Sequence, residues 1–550
     1  MKTFRIFFVS ILISVLFSCQ NGQNNQYHMD LIIHNAIIYK VDENFALAES
    51  AAIKDGKFMA VASNDEILEK YTAKEIIDLQ GAYVYPGFID PHAHFFGYGQ
   101  TLVNADLTGT RSFEEILEII TLHHKAHPYD WVLGRGWDQN EWPVREFPHR
   151  DELDKVFPDV PVLLSRVDGH AAIANTEALN RAGITEETEI SGGRILKENG
   201  RLTGVLSGNA VGLVRQAIPE PRREEQIASL LNAQKNCFEV GLTGIGDAGL
   251  NKEVIQLIDS MQQNGDLKMR IYAMLEPGEE NFRHYLENGI YKTDHLHIAS
   301  VKLFADGALG SRGAKLLEPY SDDPENSGYL AHDESYIREI ARKTFDHGFQ
   351  LNTHCIGDSA VRLMLNVYGE FLEGENDRRW RIEHAQVVHP EDFSLFRRYN
   401  IIPSVQTTHA TSDMLWAVDR LGHNRLKNAY AYQKLLQQNG WLPNGSDFPV
   451  EPINPLYGFY AGVARKNPEG EPANGFQMEN ALTREQALRA MTIWAAKAQF
   501  EENEKGSIEP GKFADFVVTE QNIMQMPLEE IPELKIQKTF LGGKKVFNRD

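Results

Sequence analysis

Val84-Tyr85-Pro86-Gly87-Phe88-Ile89-Asp90-Pro91-His92-Ala93-His94 reads as an apolar strand that ends on two histidines. Side chains on a strand alternate faces with a period of two, so His92 and His94 point the same way. At the carboxyl end of a barrel strand both would face the interior, where neutral imidazoles can share one metal ion. The chain has 19 histidines, so a bare His-x-His pair arises readily by chance. Its meaning depends on the ionisable residues further along the chain.

Further strands recur through the middle of the chain. They include Val160 to Leu164, Thr243 to Ile245, Arg270 to Met274, Ile298 to Phe304, Phe349 to Asn352 and Arg381 to Glu383. Helical stretches lie between several of them: Phe113 to Ala126, Arg223 to Val240, Glu334 to His347 and Arg484 to Phe500. Such alternation predicts parallel βα units, for which a (β/α)8 barrel of the TIM type is the economical closure. A doubly wound sheet is the alternative, but no glycine-rich phosphate fingerprint follows the first strand. Residues 127–213, rich in Trp, Pro, Gly and Asp, read as an insertion over the barrel mouth. Both ends of the chain are β-rich. Residues 29–85 and 505–550 therefore predict one small β-sandwich built from the two termini, around a barrel spanning 86–504.

Composition narrows the function. The 550 residues hold 55 Lys+Arg against 77 Asp+Glu, a net charge of −22. Phosphate contacts demand clustered cations, so no nucleic-acid partner is expected. Three cysteines are too few for a disulfide framework. Cys237 and Cys355 sit in apolar surroundings and read as buried thiols.

Four more ionisable groups fall at expected strand ends. Lys302 closes an apolar strand, where a lysine is costly unless neutralised or paired. His354 and His384 end two later strands, and Asp447 lies in the turn Asn444-Gly445-Ser446-Asp447-Phe448-Pro449. Any one alone is more simply a satisfied core or surface residue. Together with the His92/His94 pair, in chain order, they mark a candidate metal centre.

At this point the sequence resembles the metal-dependent amidohydrolases. More narrowly, it is similar to the family 3 subgroup that includes N-substituted formamide deformylases. The resemblance runs from about residue 28 to the end. Its motifs are residues 86–94, Gly134-Arg135-Gly136-Trp137-Asp138-Gln139-Asn140-Glu141-Trp142-Pro143, Asp168-Gly169-His170, Lys302 to Arg312, His354 to Asp358, Glu383-His384-Ala385-Gln386 and Gly445 to Pro449. It implies His92 and His94 as first-strand metal ligands, with His354 and His384 serving a second position. It implies Asp447 as the proton-handling aspartate and a further ligand. In relatives with two metals, the lysine matching Lys302 is carboxylated and bridges them. One ion or two, and a carboxylated or plain Lys302, both stay open. Zinc is the default for His and carboxylate ligands, with iron or manganese compatible.

The implied activity is hydrolysis of a non-peptide C–N bond, linear or cyclic, in a small molecule by metal-activated water. An ester- or phosphoester-cleaving member of the same fold, or a non-catalytic binding or regulatory lipoprotein, are the alternatives. Trp137, Asp138, His170, Asp306 and Arg312 are candidate substrate contacts. Arg312 would act as a rigid fork for a carboxylate.

The chain opens with Lys2 and Arg5, an apolar run from Ile6 to Phe17, and Leu16-Phe17-Ser18-Cys19. This reads as a secretory leader whose end resembles a bacterial lipobox, which implies Cys19 as the lipidated first mature residue; a plain cleaved signal with an incidental Cys is the alternative. The leader is then 1–19 and the polar tether 20–28. The expected location is the bacterial cell envelope, on the periplasmic side or the outer membrane, with membrane contact through the lipid alone. A small-molecule substrate is the expected partner, and a homodimer is left open.

Overall fold

The computed structural model describes residues 27–374 and 376–549. The leader, Cys19 and most of the tether lie outside the described residues. Among the described residues, no helix is long and apolar enough to cross a membrane.

Seven parallel strands form the central sheet: β1 (Phe88–Ala93), β2 (Leu242–Leu250), β3 (Arg270–Leu275), β4 (Leu296–Phe304), β5 (Gln350–Cys355), β6 (Arg381–His384) and β7 (Ile402–Ser404). They pair in chain order. Every residue of β1, β3, β5, β6 and β7 is buried. That explains why these segments read as near-continuous apolar runs: helices or other elements cover one face and the barrel interior the other. Buried cysteines Cys237 and Cys355 sit in this core, both as free thiols.

The eighth place in the ring is filled by an irregular segment, not a regular strand. Gly445 N–H donates to Val405 O at 3.0 Å, and Asp447 N–H to His92 O at 2.9 Å. His94 N–H in turn donates to Phe448 O at 2.8 Å. This seam stitches β7 to β1. The buried Asp90 carboxylate reinforces it by accepting from Ser446 N–H at 3.0 Å and Ser446 Oγ at 2.6 Å. Only glycine fits at 445, because a Cβ there would lie 2.5 Å from Asp90 Oδ1.

The stretch from Arg484 to Phe500, expected as one helix, is two: Arg484–Ala490 and Ile493–Ala498. The break frees carbonyls for the barrel. Asn444 N–H takes Ala490 O at 3.0 Å and Ile89 N–H takes Met491 O at 2.9 Å.

The segment expected as an insertion at 127–213 forms a sheet of its own that begins earlier. It recruits Ala105–Asp106, then runs through Val132–Trp137, Val162–Arg166, Ala171–Ala174, Arg201–Gly208 and Gly193–Glu198. The run from Val160 thus belongs to this insert and not to the barrel. Apolar clusters cover both faces of the sheet, so it carries its own core.

The two chain ends form two further sheets. One orders Lys57–Ala62, Ser50–Lys54, Tyr27–His34 and Tyr71–Asp78. The other sets the C-terminal strands Lys544–Asn548, Lys538–Leu541 and Phe516–Thr519 beside Tyr83–Pro86, Ile37–Tyr39 and Leu47–Ala48. One buried cluster, with Ile33, Ile53, Val84, Phe516 and Phe540, draws on both. Arg270, at the start of β3, binds Asp515 through two donors at 2.6 and 3.0 Å, tying the C-terminal strands to the barrel floor.

Candidate metal centre

The carboxyl ends of β1, β4, β5 and β6, with the seam at 444–448, bring His92, His94, Lys302, His354, His384 and Asp447 together. Ring centroids are 5.0 Å apart for His92 and His384, and 4.5 Å for His354 and His384. His92 and His94 are 5.9 Å apart. Lys302 Nζ lies 2.9 Å from His92 Nε2. Asp447 Oδ1 lies 3.4 Å from His92 Nε2 and 3.2 Å from His94 Nε2. His384 and Asp447 both hold positive φ, +72° and +60°. Backbone in this region is strained for residues other than glycine and is retained where the surroundings enforce it.

Three Nδ1 atoms are already committed to acceptors. His92 Nδ1 meets Glu383 Oε2 at 2.5 Å, His94 Nδ1 meets Ala248 O at 3.0 Å, and His384 Nδ1 meets Gln406 Oε1 at 2.7 Å. Each acceptor places the ring proton on Nδ1, leaving Nε2 as a lone-pair donor aimed inward. Carboxylate and carbonyl partners of this kind orient metal-binding histidines. Asp447 Oδ1 is buried with no hydrogen-bond partner among the described residues. Unprotonated nitrogens and a bare carboxylate oxygen facing one another repel unless a cation lies between them. His92, His384 and Asp447 offer ligand atoms all within 4.8 Å of one another. The donor set therefore fits a divalent metal.

Ionisation agrees with this reading. Burial, and then the charge of Lys302, hold His92 down at about 4. Burial, then neighbouring histidines, keep His354 well below the ordinary imidazole range, and burial does the same for His384. These rings are neutral at pH 7, as ligands must be. Burial opposes ionisation of Asp447, yet the imidazoles around it, His94 first, hold it well below the usual carboxylate range. Burial lowers Lys302 to about 8.

Several supporting groups had no assigned role in the sequence. Glu383 Oε1 accepts from Arg381 Nε at 2.6 Å while Oε2 holds His92. Asp247 accepts Phe95 N–H at 2.9 Å and Phe96 N–H at 3.2 Å, fixing the chain just past His94. His409 Nε2 faces Asp447 Oδ2 at 4.0 Å. Glu383 could have been suspected from its place directly before His384. Gln406 and His409 carry no local pattern.

The softer candidates separate. His170 reaches the centre from the insert, its ring 4.7 Å from His354. Asp306 spends both oxygens on the backbone N–H groups of Ile356, Gly357 and Lys315, so it shapes the turn after His354. Asp138 is ion-paired with Arg166 beside a small cavity of about 200 Å³ that His409 and Asp447 also line. Trp137 does not reach the mouth. It is fully buried in the insert's core, donating from Nε1 to Leu164 O at 2.8 Å. Arg312 is not free to bind a carboxylate either, because Asp322 already occupies its fork at 3.1 and 2.8 Å.

The centre opens into a cavity of about 910 Å³. Residues 75–547 match the sequence model of the amidohydrolase family. The chain belongs to the amidohydrolase family. As an amidohydrolase it is 32% identical to the YtcJ protein of Bacillus subtilis (strain 168), over 95% of this chain and 100% of that one. It is 26% identical to the N-substituted formamide deformylase of Arthrobacter pascens, over 94% and 98% of the two chains. Among solved structures, an uncharacterized metal-dependent hydrolase from Pyrococcus horikoshii OT3 superposes with a TM-score of 0.73. It is 27% identical and covers 90% of this amidohydrolase and 99% of its own chain.

Proposed function

We propose that this hydrolase cleaves a non-peptide C–N bond, linear or cyclic, of a small molecule, with His92, His94, His354, His384 and Asp447 holding one or two divalent ions, zinc as the default. The observation that carries it is the set of inward-facing Nε2 atoms converging on an unpartnered Asp447 oxygen beside an open cavity. The resemblance to a formamide deformylase supports an amide-type bond over an ester.

A divalent ion bound there supplies Lewis acidity for the scissile carbonyl and for water. The remaining steps belong to the chain's own groups. Asp447 stays ionised and presents two oxygens with different surroundings: Oδ1 toward the imidazoles, Oδ2 toward His409. We assign Oδ2 the proton of the attacking water and its delivery to the leaving nitrogen. Glu383, Gln406 and the Ala248 carbonyl hold the rings still, so little reorganisation is needed. Lys302, buried against His92, is the candidate for N6-carboxylation. A carbamate there would turn a cation into an anionic ligand.

The terminal sheets read as one composite domain packed under the barrel. We also read the chain as tethered to the cell envelope through Cys19.

The test is metal analysis of the purified protein, then assay on N-formyl, N-acyl and cyclic amides and on phosphoesters, before and after chelation. Amide turnover that is lost on stripping and restored by zinc is expected. Full activity after verified removal of metal overturns the reading.

A further inference from the structure

Two guanidiniums on the insert face the same cavity, and no carboxylate among the described residues pairs with either. Arg135 stands on the strand Val132–Trp137 and Arg215 ends the helix Asn209–Arg215. Both line the cavity into which His94, Lys302 and Asp447 open. Arg135 gives one donor to Val167 O at 2.9 Å, while its Nε is buried with no partner among the described residues. Arg215 keeps an accessible surface, and its one hydrogen bond is a long contact of 3.4 Å to Gly169 O. Asp168, whose charge reaches Arg135, is already ion-paired to Arg166 at 2.7 Å.

The two cations meet at Gly169. A Cβ on that residue would lie 3.1 Å from Arg135 Nη1, and Arg215 contacts its carbonyl. They also oppose each other: burial, and next the charge of Arg215, hold Arg135 down at about 10. Glu276 lines the cavity too, but it is raised by burial only and engages neither arginine. The residue after Gly169 is His170, whose ring packs on His354 of the metal centre. Asp168 and Asp447 offset part of this opposition at Arg135, but neither is ion-paired to it, and an anion placed between two like charges at a cavity wall relieves their repulsion.

We propose that Arg135 and Arg215 form the subsite for a carboxylate on the substrate, so that the enzyme takes small amides bearing an acidic group near the scissile bond. This rests on the amide-hydrolase reading above and assigns to this pair the task that Arg312 cannot perform. One carboxylate matches two forks of which one is already partly spent. A phosphate dianion would call for further donors.

Calorimetry on the purified enzyme compares 3-phenylpropionate, 3-phenylpropionamide and inorganic phosphate, for the parent and for Arg135→Gln and Arg215→Gln. The acid is expected to bind more tightly than the amide, and each substitution to weaken it about tenfold or more with metal content unchanged. The ion-binding side chains are intact in both variants, so a probe held only by metal would bind all three proteins alike. That result, or equal binding of acid and amide, overturns the proposal. Arginine-dependent preference for phosphate overturns the carboxylate assignment.

A parallel assay compares N-formylphenylalanine with its methyl ester. Equal turnover that the substitutions leave equal sinks the subsite and spares the hydrolase reading. Arginine-dependent binding of the acid with no amide hydrolysed does the reverse. Arg135→Lys, which keeps the charge without the fork, guards against a folding artefact.

Discussion

Glu383 Oε2 sits 2.5 Å from His92 Nδ1 at a fully buried site, and this contact fixes which nitrogen of His92 faces the centre. The same carboxylate is anchored from its other oxygen by Arg381. The pair would therefore act on metal affinity without touching a bound ion.

Glu383→Gln keeps the shape but removes the charge that holds the ring proton on Nδ1. We expect metal affinity to fall roughly 10- to 100-fold, the usual effect of losing such a partner. Competition with a chromogenic chelator measures it. Unchanged affinity would remove Glu383 from the design.

Asp447→Asn leaves a side chain of the same size at the seam, with an oxygen still able to face the imidazoles. Turnover should drop by about 10²- to 10⁴-fold, the scale of acid–base catalysis. Near-ultraviolet circular dichroism and much of the bound metal should be retained. Near-normal turnover rejects the proton-handling role.

Acid sensitivity should come partly from the barrel floor. Glu501 is buried beside Lys505 at 2.6 Å and His297 at 3.3 Å. Burial would raise its pKa, but the Lys505 charge and the His297 contact outweigh it and bring it from 4.5 to about 2. A depressed carboxylate contributes stability above its unfolded pKa and loses it as pH falls through the folded one. The window is therefore from about pH 4.5 down to about 2, and the contribution on the order of 3 kcal/mol. Urea unfolding across that range should show a flatter pH dependence for Glu501→Gln; a parallel curve would contradict the assignment.

Cys19→Ser should move the protein from the membrane pellet to the soluble fraction and abolish any lipid mass on the mature N-terminus. An unchanged distribution would falsify the tether.

The strand-and-histidine rhythm was legible because parallel barrel strands are buried on both faces and end abruptly in ionisable groups. Lys302, His354 and His384 show this plainly. Asp447 was legible only through its glycine-flanked turn, since the seam has no regular strand to announce it. Trp137 and Arg312 misled for one shared reason. An indole or guanidinium in a loop-rich segment looks available until its own partner, Leu164 O or Asp322, is seen. Arg135 is the opposite case: nothing in the sequence singles it out, and its unpartnered Nε is visible only in three dimensions. Gln406 and Ala248 orient rings through contacts that cross the barrel, which no local spacing encodes.

The seam at 444–448 has a consequence for how the enzyme comes alive. Asp447 is delivered by the very segment that completes the ring, late in the chain and against the earliest barrel strand. On the role proposed for Asp447, a chain missing that stitch would display the imidazoles and still be inert, so chemical competence would be withheld until the circle is whole.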